Sequence, residues 1–323
     1  MSTGPEIPLR TAQMHLYKPA TPALATILKN EPCTAGRKAA GFTRHIEFDV
    51  SGTELVGRCI PGQAVGVLPD GVDKDGREHK LRLYSLASPT RGEDGKGAVL
   101  STTVKRLIDE DWNGGGLFLG VASNWLCDRK VGDKVRLTGP NGKRFVLPMD
   151  AAAHDYVFFA TGTGIAPFRG MITDLLEGGD CPHSRVALVM GSPYATDLLY
   201  DKWLHGMAAR HPNFSYITAI SREPNEGRNG GPAMGPMYVQ DRIASDYTTL
   251  EPLLVSDRTL IYVCGLAGME IGIIRQLART LPASAREGYI EADAETLANV
   301  DGWARTMLHK QVRLTRRIAL EVY

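Results

Sequence analysis

Residues 156–178 read YVFFATGTGIAPFRGMITDLLEG. Tyr156–Ala160 is an apolar run of strand length, and RGMITDLLEG has the spacing of a helix. Between them Gly162 and Gly164 open the corner, and Pro167 suits a first helical turn. Glycines at a strand-to-helix corner let backbone N–H groups approach a pyrophosphate at the helix N-terminus. The G-x-G-x-x-G pattern is not completed, because Pro167 stands in the place of the third glycine. A plain strand-to-helix corner accounts for the same residues.

Strand-like and helix-like runs keep alternating downstream of this corner. RVALVMG (185–191) precedes LLYDKWLHGMAAR (198–210), FSYITAIS (214–221) precedes MYVQDRIASDYTTL (237–250), and TLIYVCG (259–265) precedes GMEIGIIRQLARTL (268–281). That order implies a parallel sheet with helices on both faces. Upstream the texture differs. ATILKNEP, TRHIEFDV, QAVGVLPDG, KLRLYSLAS, AVLSTTVKRL and DKVRLTGPNGKRFVLP are short β-like runs separated by Gly, Pro and Asp, as in a small antiparallel barrel. PNGK at 140–143 reads as a turn. The expected organisation is a flexible tail over 1–15, a β-barrel domain over 16–150 and an α/β domain over 151–323, with a Gly/Pro-rich loop at 225–236.

Composition narrows the function classes. The chain has 323 residues, 43% hydrophobic and 23% charged, with 37 Lys+Arg against 36 Asp+Glu. This is a globular composition with two cores' worth of apolar side chain. A net charge of +1 gives no basic excess of the kind that marks nucleic-acid binding. No apolar run approaches the ~18 residues that span a bilayer, and MSTGPEIPLR lacks the pattern of a secretory signal. Cys33, Cys59, Cys127, Cys181 and Cys264 contain no C-x-x-C, which disfavours zinc and iron–sulfur sites. Their odd number and irregular spacing fit a reducing, cytoplasm-like compartment rather than a disulfide framework. None of the eight histidines has metal-ligand spacing, so no metal site is expected.

Small or polar residues close each parallel strand, where open α/β sheets bind ligands. They are Gly191-Ser192-Pro193, Ser221-Arg222 and Cys264-Gly265-Leu266. Arg222 has the chemistry to pair with a 2′-phosphate, or to be an ordinary surface arginine. In the first half, alternation puts Arg82 and Tyr84 on one strand face and Leu83 and Ser85 on the other. An arginine beside an aromatic suits a flavin nucleotide, and equally a cross-strand pair. Lys105 and Arg106 carry the same two readings, cations that serve the nucleotide or solvated edge charges. Gly120-Val121-Ala122-Ser123 reads as a helix start with Ser123 as a candidate cap, an end that can bind phosphate or merely cap the helix.

Taken in order, RLYS (82–85), GVASNWLCD (120–128), TGTGIAPFR (161–169), SR (221–222), MYVQ (237–240), CGLAGME (264–270) and terminal EVY (321–323) strongly resemble the plant-type ferredoxin–NADP reductase family. The likeness runs from about Leu16 to Tyr323. It implies an FAD-binding antiparallel barrel followed by an NADP-binding α/β domain. By matching position it assigns Arg82, Tyr84, Ser85, Thr103, Val104, Lys105, Gly120, Val121, Ala122 and Ser123 to FAD, and Thr163 to the junction of both nucleotides. It assigns Ser192, Pro193, Ser221, Arg222, Tyr238, Gly265 and Leu266 to NADP(H). It makes Ser85, Glu321 and Tyr323 the catalytic group, with Tyr323 stacked on the flavin where nicotinamide must displace it. Two departures stand out: Ala122 replaces a usual Cys, and Pro236 replaces a Lys that often contacts the 2′-phosphate.

The activity so implied is exchange of a hydride with NADP(H) and of single electrons with ferredoxin or flavodoxin, an acidic carrier. Lys74, Arg77 and Lys80 are the implied docking cations, and a monomer is expected in the cytoplasm or an organelle stroma. Two other readings are the NADPH reductase component of an oxygenase and a nucleotide-binding regulatory module without turnover.

Overall fold

The computed structural model describes residues 6–112, 114–179, 181, 183–227 and 231–323. Residues 1–5 of the expected tail and 228–230 of the Gly/Pro-rich loop lie outside them. The chain forms two compact units. One joins Arg10–Leu147 with Ala166–Asp174, and the other joins the described residues up to Leu9 with Pro148–Ile165 and Leu175–Tyr323.

The first unit is an antiparallel barrel. Its strands are β1 (Ala23–Pro32), β2 (Thr43–Asp49), β3 (Ala64–Leu68), β4 (Arg82–Ser85), β5 (Val99–Lys105) and, beyond a small hairpin β6 (Ile108–Glu110)–β7 (Leu117–Leu119) and helix α1 (Val121–Cys127), β8 (Lys134–Asn141). They pair in the order β4-β3-β8-β1-β2-β5. The edges meet where Leu86 bridges Thr102, Ala87 N–H donates to the Ser101 carbonyl at 2.8 Å, and the Thr102 hydroxyl donates to the Ser85 carbonyl at 2.8 Å. Closure removes the unpaired strand edges that an open sheet would expose. The period-2 alternation sends Ala25, Ile27, Ile46, Phe48, Val65, Val67, Leu100, Val135 and Leu137 inward, all buried. The expected turn at 140–143 starts later, because Pro140 and Asn141 end β8, with Asn141 paired to Ala64. Residues 8–15 of the expected tail are held by backbone hydrogen bonds, including Met149 N–H to Pro8 and His15 N–H to Pro140.

Residues 166–174 are built into this barrel unit. Phe168 lies 5.9 Å from Phe145, ring to ring. The Arg169 guanidinium forks onto Glu93 at 2.5 and 3.0 Å. Asp174 accepts from Thr90 N–H at 2.9 Å and from Arg10 at 3.0 Å. His45, Glu47 and Glu93 bring ligand-type atoms within 4.8 Å of one another. The chain's own cations already face those carboxylates, Arg169 on Glu93 and Lys29 3.5 Å from Glu47.

The second unit is a five-stranded, fully parallel sheet in the order β11-β10-β9-β12-β15. Its strands are β9 (Asp155–Thr161), β10 (Val186–Ser192), β11 (Phe214–Ile220), β12 (Thr259–Gly265) and β15 (Ile318–Val322). The helices between them are α2 (Ile165–Glu177), α3 (Asp201–Arg210), α4 (Asp241–Ser245), α5 (Tyr247–Leu254) and α6 (Met269–Thr280). Before β15 the chain makes an excursion through α7 (Ala283–Glu287), β13 (Ile290–Glu291), α8 (Ala294–Ala298) and β14 (Arg313–Leu314). The central strands are buried on both faces, which is why they read as unbroken apolar runs rather than alternating ones. Among the described residues no helix is long and apolar enough to cross a membrane.

Cys59, Cys127, Cys181 and Cys264 are buried, Cys33 is half-buried, and none is in a disulfide. Burial pushes the Cys59 thiol up to about 12 and the Cys127 thiol up to about 11. At pH 8 a thiol reagent should label Cys33 rapidly in the folded protein and the other four only after denaturation. Rapid labelling of two or more thiols without denaturant would contradict this packing.

Candidate functional site

The strand order fixes where the second unit can bind a ligand. The chain runs outward from β9 through β10 to β11, then returns to the other side of β9 with β12. Strand order therefore reverses between β9 and β12, and a crevice opens at their carboxyl ends. Gly162–Gly164 leaves β9 as one turn of 3₁₀ helix and leads into α2. Gly164 passes so close to β12 that a Cβ there would collide with the Cys264 carbonyl. Gly265 has φ +143° and its Cβ would collide with Thr161, so only glycine fits. Thr161 Oγ1 accepts from Leu266 N–H at 3.0 Å, tying the two strand ends together.

Strand β15 completes this end. Its parallel register on β12 sets Glu321 beside Cys264 and Val322 beside Gly265. Tyr323 is docked, not frayed: its N–H donates to the Gly265 carbonyl and its carbonyl accepts from Ala267 N–H, both at 3.0 Å. The Tyr323 hydroxyl lies 2.5 Å from Thr163 Oγ1. The residue is still 60% exposed, so it is not sealed in the core. Desolvation raises the phenol above its ordinary range despite the opposing Thr163 hydrogen bond. Burial raises the Cys264 thiol, and the neighbouring Glu321 charge adds to it. Desolvation also raises the Glu321 carboxyl, although solvent reaches that residue.

The ends of β10 and β11 are joined by Ser221 N–H to the Ser192 carbonyl and Arg222 N–H to the Pro193 carbonyl, both 3.0 Å. Met237 N–H donates to the Ile220 carbonyl at 2.7 Å and brings Tyr238 to the same edge. Tyr238 is 63% exposed. The Arg222 guanidinium lies 5.9 Å from the Tyr194 ring and makes no ion pair with a described residue. Ser192, Pro193, Ser221, Arg222 and Tyr238 thus gather at one sheet edge, and Thr163, Gly265, Leu266, Glu321 and Tyr323 at the switch point.

The barrel unit carries its own cluster. On β4, Arg82, Tyr84 and Ser85 pair with Val67, Val65 and Ala64. Tyr84 is half-buried against the barrel core, and burial pushes its phenol up to about 12. Arg82 is exposed, donates only to the adjacent Leu81 carbonyl at 3.0 Å, and has no carboxylate partner among the described residues. Val104 points into the core and offers a ligand only its backbone, whereas Lys105 is exposed. Two expectations about this region are corrected. Ser123 does not cap α1: the helix starts after Gly120, and Ser123 Oγ accepts from Leu107 N–H at 3.1 Å and donates to the Gly120 carbonyl at 3.2 Å. Lying inside the first turn, its hydroxyl reaches back over the preceding loop. Arg106 is no solvated edge charge, because it donates to Asn124 at 3.1 Å and Asp128 at 2.6 Å and braces β5 to α1. Lys74, Arg77 and Lys80 are exposed on a separate loop.

One residue of the switch point, Thr161, is missed by the sequence reading as a site residue, although a polar residue at a strand end is its signal; Gly164 and Cys264 are singled out there as corner and strand-end residues. What spacing alone does not give is the register that puts Cys264 beside Glu321.

Residues 158–274 match the family of the oxidoreductase NAD-binding domain. The chain is 40% identical over 264 residues to the cyanelle ferredoxin–NADP reductase of Cyanophora paradoxa, covering 80% of this chain and 70% of that protein. It is 41% identical over 261 residues to the chloroplastic ferredoxin–NADP reductase leaf isozyme 1 of Arabidopsis thaliana, covering 80% and 69%. Among solved structures, the ferredoxin–NADP+ reductase of Plasmodium falciparum is similar with a TM-score of 0.67 over 96% of this chain and 99% of that chain. Its 20% identity makes that a likeness of fold.

Proposed function

The chain belongs to the plant-type ferredoxin–NADP reductase family, and on that premise we propose that it moves electrons between NADP(H) and a ferredoxin or flavodoxin by way of bound FAD. It is a ferredoxin–NADP oxidoreductase, a flavoprotein that uses FAD and NADP(H). The observation that carries the reading is the switch-point cluster, where Tyr323, Thr163, Gly265 and the Cys264–Glu321 pair converge.

The residues present fit both nucleotides. In the barrel unit, Arg82 is an exposed cation without a carboxylate partner among the described residues, two positions from the half-buried ring of Tyr84. In the sheet unit, a Cβ on Gly162 or Gly268 would meet nothing within 4 Å, which leaves room for a phosphate to approach the backbone. FAD, when bound, supplies the conversion between a hydride and two single electrons. The protein's part is to bind and orient. Arg82 neutralises pyrophosphate charge, Tyr84 and Ser85 position the ring system, and the Thr103–Lys105 and Gly120–Ser123 segments offer backbone and hydroxyl groups. Arg222, Tyr238 and Ser221 hold the 2′-phosphate end of NADP(H), with Ser192 and Pro193 beside them. Gly265 and Leu266 border the nicotinamide place that Tyr323 covers, and Glu321 holds a carboxyl at its rim. Lys74, Arg77 and Lys80 offer cations to an acidic carrier.

The purified protein should be yellow and should reduce a ferredoxin with NADPH; a colourless protein with no NADPH-dependent reduction of ferredoxin, flavodoxin or ferricyanide would refute the reading. Arg82→Ala should lower FAD retention by removing the cation that faces pyrophosphate, a charge-assisted contact worth about 1.5–3 kcal/mol. Equilibrium dialysis of FAD measures this, and unchanged affinity would remove Arg82 from the site.

Arg222→Ala should cost about tenfold or more in the ratio of kcat/KM for NADPH to that for NADH, because one charged phosphate contact is lost. With Pro236 in place of a lysine, the parent enzyme has one cation fewer to lose. An unchanged ratio in the variant would show that Arg222 does not face the 2′-phosphate.

A further inference from the structure

The excursion between β13 and β14 is fastened along helix α6. Ile290 pairs with Leu314 and Glu291 with Arg313 at its base. Within it Trp303 is fully buried in the core of the parallel-sheet unit and donates Nε1–H to the Thr296 carbonyl at 2.9 Å. Two ion pairs then reach α6 at opposite ends. Asp301 meets Arg279 in the last turn, and Arg305 meets Glu270 in the first. The second pair differs in kind from a surface bridge. The Glu270 side chain is 2% exposed, and Arg305 Nε lies 2.5 Å from its Oε1. The contact is an ion pair, not an aligned hydrogen bond, since Oε1 has no hydrogen-bond partner among the described residues. The other oxygen, Oε2, accepts from Gly268 N–H at 2.7 Å.

Glu270 therefore works in two directions. One oxygen fixes the backbone of Gly268, which has φ +103° and closes the turn Gly265–Gly268 at the end of β12. The other is compensated by a guanidinium that arrives from 35 residues later in the chain. A buried carboxylate without a facing cation carries an uncompensated charge, which is strongly destabilising. It would rotate toward solvent and release the Gly268 N–H. The same turn carries Leu266 N–H to Thr161 and Ala267 N–H to the Tyr323 carbonyl, so loosening it moves the walls of the crevice.

We propose that Arg305 is a positioning residue for dinucleotide binding: by compensating Glu270 it holds the Gly265–Gly268 turn in the form that receives NADP(H). The role rests on the reading of the switch point as the nucleotide site. It makes the excursion a splint for that site and not a peripheral ornament of the sheet.

The test uses the FAD-loaded full chain and titrates NADP+ by difference absorbance, alongside steady-state reduction of ferricyanide by NADPH. Arg305→Ala should weaken NADP+ binding and raise the KM for NADPH by about threefold to tenfold, with a smaller fall in kcat. Arg305→Lys should recover most of the loss, because it restores a cation facing Glu270. Glu270→Gln combined with Arg305→Ala should bind more tightly than Arg305→Ala alone. The amide removes the buried charge and keeps an oxygen for Gly268 N–H. A lowered Tm with unchanged KM and unchanged NADP+ affinity in Arg305→Ala would overturn the proposal and leave the pair a purely structural brace. Failure of the parent protein to bind NADP+ at all would instead overturn the functional reading beneath it.

Discussion

The parallel pairing of β15 with β12 is the constraint on which the candidate site depends. Five register pairs, Ile261 with Ile318 through Gly265 with Val322, leave no freedom in which side chains reach the end of the sheet. A slip of one residue would exchange the faces of β15 and carry Glu321 away from Cys264. The same pairing delivers Tyr323 to the carboxyl end of β12, where two backbone hydrogen bonds hold it and Thr163 takes its hydroxyl. Strand order then does the rest, because β9 and β12 are the pair between which the chain reverses direction.

Close approach is the second condition. Gly164 and Gly265 let the α2 corner and the β12 turn come together where any side chain would collide with Cys264 or Thr161. Into that compact junction Thr161 brings a hydroxyl that accepts from Leu266, so the turn is fixed by hydrogen bonds as well as by sterics. At its far side the turn is set by Glu270 through Gly268. The crevice is thus bounded by backbone held from several sides, which suits a site that must present N–H groups to an anionic ligand.

Much of this was legible in the sequence, for physical reasons. The β9, β10 and β12 runs are buried on both faces, so they announce themselves as continuous apolar segments. The barrel strands carry period-2 alternation and turn residues between them. The order of short motifs from Arg82 to Tyr323 led to the family that the relatives bear out. What stayed hidden depends on contacts between distant residues. Barrel closure through Leu86 and Thr102 has no local pattern. Ser123 has the residue type of a cap, but the helix begins after Gly120, which places its hydroxyl in the first turn instead. The partners of Arg106, Asn124 on α1 and Asp128 at its C-terminal end, lie beyond the β6–β7 hairpin, so no local pattern announces them. The pairing of Arg305 with Glu270 links two segments that no motif connects.

The proposed function puts the ring of Tyr323, docked on β12, in the place that nicotinamide must take. A site competent only after the ring has moved binds with an affinity reduced by the fraction of time it is clear. The most direct measurement is titration of the FAD-loaded Tyr323→Ser protein with NADP+, followed by difference absorbance beside the parent, with NADH-dependent ferricyanide reduction on both. The account predicts binding about tenfold tighter or more in the variant and a rise in NADH turnover, since the weaker nucleotide gains most when the place is already open. Equal affinity, equal NADH activity and an identical difference spectrum in the two proteins would contradict it.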